Sequence, residues 1–146
     1  MKIFLDANIL VSVLNKEYPN FTYTARILSL ADEPSFGLYT SPLCLAIAYY
    51  FAQKKSGKKT AGQKIDLLLE KLKITMIDEH TVNAVRTNKK INDFEDGLQY
   101  YSAVNSQCAC IVTDDKNDFY FSEIEVLSSR VFMEKLASNK LTFNTL

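Results

Sequence analysis

"KIFLDANILVSVL", residues 2–14, decides the fold. Lys2–Leu5 is a short apolar run broken by Asp6, the pattern of a buried strand. From Ala7 to Asn15 the apolar residues Ile9, Leu10, Val13 and Leu14 recur at helical spacing. A strand that passes into a helix through one acid has two readings. Asp6 is a helix cap, or it is a ligand-binding carboxylate at the end of a strand.

The same alternation continues outward from this stretch. Leu38–Thr40 is expected as a second strand, and Ser41-Pro42 starts a helix to about Gln53 that is apolar almost all round and therefore expected to be buried. "KKSGKKTAGQK", residues 54–64, is a basic connection, too short to separate domains. Residues 60–73 predict an amphipathic helix with Ile65, Leu68, Leu69 and Leu72 on one face. "ITMID", residues 74–78, predicts a third strand, and Thr81–Asn88 a short helix. A further helix begins near Phe94, "CACIVTDD" (residues 108–115) is a fourth strand, and "IEVLSSRVFMEKLA" (124–137) holds a brief fifth strand and a last helix capped near Ser128. Strands alternating with helices imply parallel strands with crossover helices. The expected fold is an α/β three-layer sandwich, with a mostly parallel central sheet of about five short strands. One domain spans residues 1–138, with a tail at 139–146.

Composition narrows the function. The chain has 146 residues, 47% of them hydrophobic, and 17 basic against 17 acidic side chains. Net zero charge excludes nucleic-acid binding by a general basic coat, though not by a local patch. Cys44, Cys108 and Cys110 lie in apolar surroundings and lack zinc-pair spacing, so they read as reduced core thiols. No stretch reaches the ~20 apolar residues of a membrane span, and no signal-peptide pattern opens the chain; the expected compartment is the cytoplasm. His80 is the only histidine, and no nucleophile motif accompanies it. "SGKKT" (56–60) lacks the upstream glycine of a phosphate loop. The runs Tyr49-Tyr50-Phe51 and Tyr100-Tyr101 read as core or a dimer face rather than base-stacking platforms.

Acids remain. Asp6 with Asn8, Asp93 with Asp96, and Thr113-Asp114-Asp115 with Asp118 form three clusters, two of them at carboxyl ends of strands, where such sheets build sites. Singly, each reads as a cap or a turn. Together they read as a metal site. Carboxylates ~5 Å apart repel by about 3 kcal/mol per pair at an effective dielectric of ~20. Three such pairs are a heavy load on a protein with about 5–15 kcal/mol of net stability. A divalent cation relieves it, and hard oxygen ligands favour Mg²⁺ or Mn²⁺ over Zn²⁺.

"IFLDANILVSVL", "DFEDGLQYYSA" (93–103) and "IVTDDKNDF" (111–119), in that order, resemble the PIN-domain family, and within it the small bacterial VapC-like toxins. The resemblance spans nearly the whole chain. It implies a Mg²⁺- or Mn²⁺-dependent endoribonuclease, a toxin paired with an antitoxin protein, and a homodimer. By that likeness Asp6, Asp96 and Asp115 are the catalytic and metal-binding acids, Asn8 and Thr113 are accessory, and Asp93, Asp114 and Asp118 match less firmly. The family usually carries a further acid in the helix after the second strand; here Ile47 stands in that place. Three carboxylates hold one divalent ion more easily than two. Asp114 and Asp93 are the nearest candidates to supply the missing charge. A second reading, motivated by Ile47, is a non-catalytic RNA- or protein-binding module of the same fold. A third, an aspartyl-phosphate enzyme suggested by "LDAN", needs an acid where Asn8 stands. Lys54, Lys55, Lys58, Lys59, Lys89 and Lys90 are candidates to guide an RNA backbone past the acids.

Overall fold

The computed structural model describes residues 1–141; residues 142–146 of the expected tail lie outside them. Five strands form one sheet in the order β3-β2-β1-β4-β5: β1 Lys2–Leu5, β2 Gly37–Thr40, β3 Lys73–Ile74, β4 Cys110–Val112 and β5 Glu125–Leu127. All four pairings are parallel. The helices are α1 Ala7–Asn15, α2 Phe21–Ser29, α3 Pro42–Ser56, α4 Lys58–Lys71, α5 Glu79–Thr87, α6 Phe94–Asn105 and α7 Ser129–Ala137. α1 packs on α2 and α3, and α3 on α4, while α5 pairs with α6. The three-layer α/β sandwich expected from the alternation is what forms.

β1 is central because its residues suit burial on both faces: Ile3, Phe4 and Leu5 are all buried. The chain lays β2 and β3 to one side of β1, then returns to lay β4 and β5 on the other. The strand order therefore reverses between β1 and β4, the place where open parallel sheets form a crevice. Leu5 pairs with Val112, and the Asp6 N–H donates to the Val112 carbonyl at 3.1 Å. That register sets Asp6 and Thr113 side by side at the mouth of the crevice.

Several expectations need correction. α3 is not buried all round. Its small residues Cys44, Ala48 and Ala52 face inward and let it pack closely, while Tyr50 and Phe51 are 55% and 44% exposed. Hydropathy cannot tell an inner face from an uncovered outer one when both are apolar. The basic connection at 54–64 is almost entirely helical, because lysine is a good helix former. Only Gly57, at φ +82°, separates α3 from α4. On α4, Leu68 and Leu72 point in, but Leu69 is exposed. The third strand shrinks to Lys73–Ile74 at the sheet edge. Beyond it the Thr75 N–H still donates to the Thr40 carbonyl (2.8 Å), and then Asp78 and Thr81 close a capping box that begins α5. The three cysteines are free and buried, and His80 is exposed on the first turn of α5.

Candidate active site

Asp6 caps α1 and also reaches the end of β4. It is the N-cap of α1, accepting from the Ala7 N–H at 2.8 Å through Oδ1. Its other oxygen, Oδ2, accepts from the Thr113 hydroxyl at 2.8 Å and the Asn8 amide at 3.3 Å. The Cys44 thiol, 3.8 Å from Oδ1, completes the cradle; burial and then the charge of Asp6 push that thiol up to about 12, so it stays a donor.

Asn8 ties the two strand ends together. Its Nδ2 donates to Thr113 Oγ1 (2.9 Å) and Asp115 Oδ2 (3.2 Å), and its Oδ1 accepts from the Asp114 N–H (3.1 Å). Asp115 N–H in turn donates to Thr113 Oγ1 at 3.1 Å. Asn8 and Thr113 are thus the scaffold of the loop after β4, and the amide of Asn8 separates the carboxylates of Asp6 and Asp115.

These acids and Asp96, from the first turn of α6, open on one cavity of about 640 Å³. Seven of its lining residues are Asp or Glu, and none is Lys, Arg or His. The electrostatic consequence falls on the carboxyls themselves. Burial, then the charges of Asp93, Asp118, Asp6 and Glu95, push the Asp96 carboxyl up to about 7. Burial also raises Asp6, partly offset by its Thr113 and Ala7 hydrogen bonds and reinforced by Asp118 and Asp115. Asp118 is raised by burial, Asp115 and Asp93. Among the described residues no basic side chain lines the cavity to offset these acids.

Not every candidate is free to act in the cavity. Asp93 caps α6, accepting from the Asp96 N–H at 3.0 Å, and does not line the cavity. The Asp114 carboxylate is held by the Ser129 N–H and hydroxyl, both at 2.9 Å to Oδ1, which anchors the start of α7. Ser129 had no signal in the sequence, because the tie spans an intervening turn and strand. The lysines divide by position. α1 and α3 both begin at the carboxyl ends of their strands, so Lys54 lies about 18 Å along α3 from its start. Lys55 donates to the Asn15 carbonyl at the end of α1, joined there by Lys64 on the Leu14 carbonyl at 2.8 Å. Lys89 and Lys90 sit nearer the acids. Their loop is strapped to the Asp118 segment by Tyr120, whose hydroxyl donates to the Lys90 carbonyl (2.5 Å) and accepts from the Asn92 N–H (3.0 Å).

The PIN domain family model matches residues 2–117. The chain belongs to the PIN domain family. It is 28% identical over 137 residues to the Ribonuclease VapC1 of Aquifex aeolicus (strain VF5), a match covering 92% of this chain and 94% of that protein. VapBC2 from Rickettsia felis, solved bound to a DNA fragment from its promoter, has the same fold: TM-score 0.68 and 22% identity over 88% of this chain and 98% of that one. VapBC-1 from nontypeable Haemophilus influenzae matches with TM-score 0.67 and 20% identity, covering 89% and 99%.

Whether this PIN domain's donors suit a divalent cation can be tested on the donors themselves. The cavity offers hard oxygens, an excess of negative charge and carboxyls held above their ordinary range, which is the chemistry a Mg²⁺- or Mn²⁺-sized ion relieves. The convergence within ~5 Å expected from the sequence is not closed: among the described residues no group of three acids, histidines or cysteines stands close enough to hold an ion. Asp115 and Asp118 are both exposed, and Asp115 Oδ2 rests on the Asn8 amide. Ile47, in the place of the family's further acid, lines the cavity wall, so its side chain does face the site.

Proposed function

We propose that the chain is a metal-dependent endoribonuclease, with Asp6, Asp96 and Asp115 as the carboxylates that hold Mg²⁺ or Mn²⁺. One observation carries the reading: acids from the ends of β1 and β4 and the start of α6 line one cavity with no basic residue among its walls. The likeness to Ribonuclease VapC1 supports RNA as the substrate. Asp6, Asp96 and Asp115 would hold the ion, which would supply charge neutralisation and Lewis-acid activation for hydrolysis of a phosphodiester. The chain's own residues prepare for this. Thr113, Ala7 and Cys44 hold Asp6 in one orientation, and Asn8 keeps Asp115 and the loop after β4 in reach. Burial beside the other acids keeps the Asp96 proton until about neutral pH, so that carboxyl is primed to exchange its proton for a cation. Ile47 adds no charge, which favours a single ion.

Two of the solved structures that share this fold are VapBC structures, and this supports an antitoxin protein as partner. The toxin reading follows from that pairing, and a homodimer remains part of it. Among the described residues no helix is long and apolar enough to cross a membrane.

The test is cleavage of single-stranded RNA by the purified protein with Mn²⁺, alongside Asp96→Asn. The expected result is cleavage that EDTA abolishes and that falls at least ~100-fold in the variant, as for loss of a group acting on the transition state. RNA left equally intact by both proteins with Mn²⁺ present sinks the reading.

A further inference from the structure

The acidic cavity has a second end of different chemistry. From Asp6 it follows the groove between α1 and α3, past Val11 and Ile47, to Tyr18 and Phe51. Tyr18 is 72% exposed and Phe51 44% exposed. Each is braced by a neighbouring ring: Tyr18 on Phe21 and Phe51 on Tyr50, both edge-to-face with centroids 5.3 Å apart. Two braced, solvent-facing rings therefore line the same cavity and belong to no core. The polar groups at this end are Glu17 and Asn20, a carboxylate and an amide able to meet the donors and acceptors of a base edge. Beyond the rings, Lys54 lies over Tyr50 at 5.2 Å from its centroid.

We infer that Tyr18 and Phe51 form a base-stacking subsite for single-stranded RNA, one to two nucleotides from the scissile phosphate. The inference rests on the ribonuclease reading and adds to it the form of the substrate. A phosphate is disfavoured at this level by Glu17, whereas a neutral base is not. Ile47 to Lys54 spans about 10 Å along α3, close to the reach of one or two nucleotides. The order of chemistry along the groove is then carboxylates for the scissile phosphate, rings for the base, and Lys54 for a following phosphate. Stacking tolerates any base but requires it unpaired, so a duplex is excluded. The aromatic run at residues 49–51, read from sequence as core or a dimer face, supplies one half of this platform.

The experiment uses an RNA octamer carrying 2-aminopurine, with the full-length Asp96→Asn protein as a binder that does not cut. Quenching of the probe is expected with single-stranded RNA and not with the duplex. Adding Tyr18→Ala or Phe51→Ala should weaken binding about tenfold each. In the wild-type background the same two substitutions should raise KM about tenfold and leave kcat within about twofold, since stacking is remote from the reacting bond. Both side chains are exposed, so the variants should keep the wild-type melting temperature. Unchanged binding in both variants, absence of quenching, or equal affinity for an octamer abasic at the probe position overturns the subsite. So does a wild-type dimer that both variants convert to monomer without losing RNA, because the rings would then serve a second copy. Cleavage is scored separately: quenching without any Mn²⁺-dependent cleavage refutes the nuclease and leaves the subsite standing.

Discussion

Replacing Asp96 by asparagine should stabilise the metal-free protein above neutral pH. The Asp96 carboxyl titrates at about 7 in the fold against an ordinary 3.8, first because it is partly buried and then because Asp93, Asp118, Asp6 and Glu95 surround it. The folded chain therefore holds this proton more tightly than the unfolded chain. Its contribution to stability is full below pH 3.8 and is lost as pH rises to about 7. At about 1.4 kcal/mol per pH unit, the gap amounts to roughly 4 kcal/mol, and solvent screening of a half-buried group reduces this to about 2. Urea unfolding in EDTA at about pH 5 and pH 8 reads the effect directly. Wild type should lose stability between the two. The asparagine variant should lose less, the remainder coming from the raised Asp6 and Asp118 carboxyls, and should exceed wild type by about 2 kcal/mol at the higher pH. Saturating Mg²⁺ should restore wild type and leave the variant nearly unmoved. Equal stability of wild type at both pH values in EDTA would refute the picture of an uncompensated acid cluster.

Two further substitutions separate the scaffold from the site. Asp114→Ala removes the acceptor of both Ser129 donors and should cost about 2 kcal/mol in thermal or urea unfolding. The exposed neighbour Asp115→Ala should stay within about 0.5 kcal/mol, and equal losses would show that Asp114 is no anchor. Gly97→Ala would set a Cβ 2.7 Å from Val85 Cγ1 and 2.9 Å from Ile91 Cγ2. It should destabilise by about 1–3 kcal/mol and lower RNA cleavage by displacing the adjacent Asp96. Val85→Ala as a second change removes the nearer contact and leaves that to Ile91, so it should recover part of the lost cleavage, and no recovery would place the fault elsewhere.

Much of the architecture was legible because its determinants are local. Lys2–Leu5, the acid that ends it and the helix that follows are written in one short stretch, and apolar runs alternate with helical patterns along the rest of the chain. The convergence of Asp6 and Asp115 followed from strand ends alone. Asp96, on a helix, was placed by family resemblance rather than by periodicity. What escaped depends on neighbours that no local pattern encodes. Gln99 is fully buried and bonded to Ser41, although a glutamine in an amphipathic pattern reads as surface. The exposed rings of α3 and the commitment of Asp114 to Ser129 likewise depend on which element happens to pack alongside. The lysines at 54–64 misled in another way, because their charge suggested a loop while their helix propensity joined α3 to α4 across Gly57 alone.

The tie between Asp114 and Ser129 also bears on when the site exists. A chain leaves the ribosome N-terminus first. Asp6 and Asn8 are therefore made before Ser129, and the loop that carries Asp115 is anchored only once Ser129 has emerged. A nascent chain that has not yet exposed Ser129 lacks that anchor. In the ribonuclease proposed above, the site is therefore complete only after the start of α7 is made.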